Sequence, residues 1–228
     1  IVGRNFPFHI AYDLAEELVS RGKELGKYPG TVPCSTINFH VLRDATVLYP
    51  DDTLDEYKGR TQRPFLIGHY APERIGDATT TSSEEAPTAE LQPLPSWERI
   101  LRAVAAFDGK KPDDPTQTTG DPFPRARANR IVKLLAEGDA EKAATEWDDA
   151  LQNAPSAGLL AKQLKLLPPH SSSSDEAHES LKQIKWLLDL IDLSENLPDR
   201  YLALWIGGNA DGDGSPETAD GSTKGGAK

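Results

Sequence analysis

Few residues in this chain have the type and spacing that chemistry needs. The five histidines, His9, His40, His69, His170 and His178, never fall four apart, and no HExxH is present. A zinc hydrolase therefore has no ligand pattern here. Cys34 lies six residues before His40, and a thiol beside an imidazole is the pairing a cysteine nucleophile requires. The sequence reading prefers an inert core thiol and a half-buried strand histidine. IVGR at positions 1–4 resembles the processed start of trypsin-like proteases, but no GDSGG segment follows and a single cysteine is present, so that reading is discarded. GGNADGDG at 207–214 has glycines and aspartates, yet no GK[ST] and no bidentate glutamate at calcium-loop distance. It reads as a flexible end.

These residues sit in a chain of 228 residues with 36 acidic and 25 basic side chains, a formal net charge of -11. Segments 76–95, 108–124 and 207–228 carry -8 of it. The acidity belongs mostly to loops and leaves no general basic face for coating nucleic acid. One cysteine excludes an internal disulfide framework and fits a reducing, cytoplasmic compartment. No run of 18 apolar residues occurs, so no segment is expected to span a membrane. The chain begins with Ile1 and contains no methionine, and it reads as the downstream piece of a longer polypeptide.

The elements that would position any site follow from periodicity. A helix is predicted over 7–26, with Pro7 suited to its first turn and Ala11, Leu14, Ala15, Leu18 and Leu25 on its apolar stripe. Residues 35–42 alternate, with Ile37, Phe39 and Val41 on one side, and predict a strand. A second extended piece is expected at about 62–68. Segment 76–95 is rich in Thr, Ser, Pro and Glu and predicts a disordered linker. Helices are expected at 96–107, from Arg127 to Glu137, at 140–152 capped by Asp139, from Leu159 to Leu166, as a longer helix capped by Asp175, and from Tyr201 to Ile206. Trp97, Trp147, Trp186 and Trp205 are expected to pack the core of a small bundle. The predicted organisation is thus 1–75 mixed, 76–95 linker, 96–206 helical with a loop at 108–124, and 207–228 tail.

One constellation goes further. Pro7, Phe8, Ala11, Leu14, Ala15, Glu16, Glu17, Leu18 and Lys23, then Ser35, Ile37, Phe39, His40 and Leu42, then Arg63, Pro64 and Phe65, form an ordered set. Over residues 1–68 it resembles the second palm domain of the large polymerase/cyclase subunit of type III CRISPR effectors and related stand-alone palm proteins. The resemblance implies an α+β fold, an incomplete ferredoxin-like palm related to GGDEF-type nucleotide cyclases, followed by the helical bundle. It implies antiviral defence. It places the metal-bearing hairpin upstream of this chain, so Mg2+ or Mn2+ with a nucleoside triphosphate is implied but not ligated here. An enzyme, a nucleotidyl cyclase or oligonucleotide synthase, is expected only if that hairpin carries paired aspartates. The alternative is an inactive palm that serves as scaffold or nucleotide sensor and docks other subunits. No catalytic residue is assigned. Lys23 is the one nucleotide-binding candidate, as a point charge on phosphate. The implied partners are the rest of the palm, from upstream polypeptide or a second chain, and other effector subunits with RNA reached through them. Residues 1–68 are accordingly expected to pack against sheet residues from elsewhere. A helical adaptor with an accessory strand region is the reading that ignores the resemblance.

Overall fold

The computed structural model describes residues 7–26, 35–42, 49–57, 59–67, 95–167 and 179–207. Expectations for Cys34, His69, His170, His178, the IVGR start, the Asp175 cap, positions 76–94 and the tail beyond 207 lie outside the described residues. The architecture is mixed α and β, mostly helical, with two small antiparallel sheets. No described helix is long and apolar enough to cross a membrane.

The first layer is α1 (Phe8–Gly26) packed against strand β1 (Ser35–Ile37), which pairs antiparallel with β2 (Phe65–Ile67), Ile37 opposite Phe65. Leu14 is buried and Ala11 and Leu18 are half-buried as the stripe predicts, whereas Ala15 points outward. Two side chains of the strand segment reach α1. Thr36 Oγ1 donates to the Gly22 carbonyl at 3.1 Å and Asn38 Nδ2 to the Leu18 carbonyl at 3.2 Å. A Cβ on Gly22 would stand 3.1 Å from Thr36 Oγ1, so a glycine lets the helix sit this close to the strand. The strand expected over 35–42 is shorter, because Asn38 turns its amide to α1 and its Oδ1 accepts the Phe39 N–H.

Between the strands lies α2 (Pro50–Glu56), where a polar connection was expected. Pro50 in the first turn and Asp51 and Asp52 at the positive helix end are its start signal. Leu54 is its one buried residue, and Arg21 of α1 holds it through Asp55 at 3.0 Å. On the other side of β2, Leu66 N–H donates to the Pro95 carbonyl at 2.8 Å, which brings the start of the bundle against the sheet.

The bundle is built round α3 (Trp97–Phe107). Ile100, Leu101 and Ala103 through Phe107 are all buried, so the second half of this helix is surrounded, while Glu98, Arg99 and Arg102 leave one face of its first turns open. Around it stand α4 (Arg125–Ala136), α5 (Ala140–Asn153), α6 (Pro155–Leu164), α7 (Glu179–Ile184), α8 (Leu187–Asn196) and α9 (Asp199–Gly207). Asp139 caps α5 by accepting the Lys142 N–H. Pro155 starts α6 four residues ahead of the expected Leu159. The helix expected as one piece through Leu181 and Ile191 is broken at Lys185 and Trp186. Trp97, Trp147 and Trp186 are buried and Trp205 is half-buried against Tyr201.

One expectation needs correction. The stretch 108–124 is not a plain loop, because β3 (Lys110–Lys111) and β4 (Asp114–Thr118) form an antiparallel hairpin there. Its strands are too polar to alternate, and buried Pro112 and Pro115 supply the apolar contact instead. Apolar residues of the β1 and β2 segments also meet the bundle. Ile37, Phe39 and Ile67 pack on the bundle core, and the Phe65 and Trp97 rings lie 5.7 Å apart.

Candidate functional site

Lys23 stands in the last turn of α1, exposed to solvent, and forms no ion pair among the described residues. Its ammonium is available to an anion. It also suits the negative end of the helix, which is what a lysine at this position does in any protein. His9 is exposed on the first turn of the same helix and lies away from Lys23. The outer face of α1 carries Phe8, 81% exposed, with Tyr12 and Val19 also exposed along one stripe.

The densest polar constellation is elsewhere, where the β2 approach meets α8. The Arg63 side chain is 4% exposed and uses each edge of its guanidinium. Nε donates to Asp189 Oδ1 at 2.6 Å, Nη1 to the Phe39 carbonyl at 2.8 Å, and Nη2 to Asp192 Oδ2. Its flat face lies 3.8 Å from the centroid of the Phe39 ring. Asp189, fully buried, takes a further hydrogen bond from the Gln62 backbone N–H at 2.8 Å. Burial pushes the Asp189 carboxyl up from its ordinary pKa, against the pull of the Arg63 charge. The Arg63–Pro64 peptide is cis.

His40 closes the same region. It is buried, and its ring meets Tyr57 edge-on at 4.6 Å. Burial first, and then the Arg63 charge, lower its pKa to about 4, so the imidazole is neutral at physiological pH. The side-chain amide of the buried Gln62 and the indole N–H of Trp97 find no hydrogen-bond partner among the described residues.

This geometry suits cohesion rather than turnover. Arg63 is sealed from solvent, so the arginine of the RPF turn holds the molecule together and cannot reach a substrate in this form. Asp189 and Asp192 were not singled out from the sequence. Their signal was nevertheless present, since two acids three apart inside WLLDLIDL occupy core positions and demand a buried partner.

Two other charged groupings are held in hydrogen bonds and ion pairs. Ser194 Oγ donates to Asp108 at 2.5 Å and accepts from Arg125 at 2.9 Å, and no imidazole among the described residues stands beside that hydroxyl. The basic helix α4 is neutralised, with Arg127 on Asp149 at 3.2 Å, Arg130 on Glu146 at 2.8 Å and Lys133 on Glu137 at 3.7 Å. Among the described residues no group of three or more His, Cys, Asp or Glu is placed to hold a metal ion. The divalent ions implied by the resemblance would find no ligand set among them. Comparison with known proteins returned no match: no family model, no curated protein and no solved structure is similar to this chain.

Proposed function

We propose that this chain is the C-terminal part of a CRISPR-like or antiphage palm protein related to nucleotidyl cyclases, with the metal-binding hairpin outside it. The observation that supports this reading is α1 packed against β1 of the β1–β2 pair, with an exposed Lys23 at its C-terminal end that has no ion pair among the described residues. In a palm, a triphosphate would lie beside such a helix end, and Lys23 would hold a phosphate as a point charge. Two divalent ions, supplied with the upstream hairpin, would polarise that triphosphate.

The test is nucleotide binding by the full chain with its upstream palm residues. Lys23→Ala is expected to weaken ATP–Mg2+ binding by roughly ten- to hundredfold, the worth of a charge-assisted contact. The thermal midpoint should stay unchanged, since the side chain is exposed. Equal affinity in wild type and variant refutes the Lys23 role.

A second reading is favoured by the outer face of α1, where Phe8, Tyr12 and Val19 lie open. Such a stripe suits a palm without chemistry that docks other subunits. Absence of nucleotide binding in the wild type, together with loss of subunit assembly in Tyr12→Glu, would select it.

A further inference from the structure

The N-terminal layer, residues 8–67, and the bundle, residues 97–206, differ in how much core each owns. Within the layer Leu14, Leu54 and Leu66 are buried apart from the main cluster, and Phe65 is the layer's one fully buried contribution to it. The bundle has a continuous core of its own, from Trp97 through Trp147 and Leu160 to Leu190 and Ile206. The bundle can therefore close without the layer, whereas two helices and two three-residue strands with so small a core cannot stand by themselves.

What joins them is apolar and polar together: Phe65 enters the bundle core with Ile37, Phe39 and Ile67 packed on it, and the Gln62–Arg63 segment adds a buried charged contact. Asp189 and Asp192 project from α8, and both are covered by the Gln62–Arg63 segment of the layer. While docked, these buried carboxylates need the guanidinium, and removing it leaves two sealed negative charges uncompensated. Once the layer is off, the same carboxylates face water and need nothing. The penalty for losing Arg63 thus falls on docking and spares the bundle.

We propose that the Arg63–Asp189–Asp192 clamp is a latch, through which the layer 8–67 is held on, and released as one unit from, a bundle that stays folded.

Hydrogen exchange on the full 228-residue chain tests this. In Arg63→Met, amides of α1, β1 and β2 are expected to exchange at least about tenfold faster, while those of α3, α5 and α8 stay within about twofold of wild type. A second variant, Arg63→Met with Asp189→Leu and Asp192→Leu, replaces the charges by apolar groups and should restore protection of the layer. Equal loss of protection in layer and bundle overturns the proposal, because the molecule is then one cooperative unit. A layer that stays protected in Arg63→Met overturns it as well. So does a triple variant whose layer remains released.

Discussion

At the scale of single residues, His40 makes the chain sensitive to acid. Its pKa falls from an ordinary 6.5 to about 4 in the folded state. The unfolded chain therefore takes up a proton at a pH where the folded one does not. Stability contributed by neutral His40 is complete above pH 6.5 and is lost as pH falls toward 4, by about 3 kcal/mol at most. Asp189 runs the opposite way, because its raised pKa favours the folded state at low pH and costs stability as pH rises through it. Arg63 and the terminal amine lower the His40 pKa further, Asp192 raises it, and Tyr57 meets its ring. His40→Phe keeps a ring against Tyr57 and removes the proton site. Denaturant midpoints measured from pH 7.5 to 4.5 should fall less steeply in this variant than in wild type. Parallel curves would show that His40 is not the group responsible.

At the scale of elements, two turn glycines look alike in backbone angle and differ in surroundings. Gly109, at φ +71°, precedes the β3–β4 hairpin, and a Cβ there would stand 2.4 Å from the Gly120 carbonyl oxygen. Gly138, at φ +82°, follows α4 and has nothing within 4 Å. Gly138→Ala pays only for the left-handed conformation, about 1 kcal/mol. Gly109→Ala adds a backbone clash, because the Gly109 carbonyl also accepts the Thr119 N–H at 2.8 Å and neither strand can yield alone. It should cost about 3 kcal/mol, within the range for strained backbone. Urea unfolding of both variants checks this, and equal losses would contradict it. The surface ion pairs of α4 with α5 make a weaker contribution, since exposed pairs are worth about 0–1 kcal/mol each and fade with salt.

At the scale of the whole molecule, what could be read from the sequence divides by range. The α1, α3 and α5 elements were legible because their apolar residues recur at helical spacing and Asp139 signals a start. The hairpin was not, since KK and DPTQT show no alternation and its apolar contacts are prolines. Neither was the latch. Arg63 and Asp189 lie 126 positions apart, and nothing local to either names the other. Lys23 was legible as a charged residue at a helix end, and the structure leaves it exposed as that position implies.

One arrangement described above has an optical consequence. The first tryptophan of the chain is Trp97, so residues 1–96 contribute no indole. Trp97 nonetheless lies at the boundary between layer and bundle, with the Phe65 ring 5.7 Å away and its N–H without a hydrogen-bond partner among the described residues. An indole so shielded should emit at short wavelength, and departure of Phe65 would wet it. Trp147, by contrast, is fully buried and bonded to Gln183 at 2.9 Å inside the bundle. Its emission should ignore the layer altogether. The red shift expected for Arg63→Met should therefore vanish when Trp97→Phe is added, and a shift that persists would come from the bundle itself. The chain carries a built-in fluorophore that reports whether its own N-terminal layer is in place.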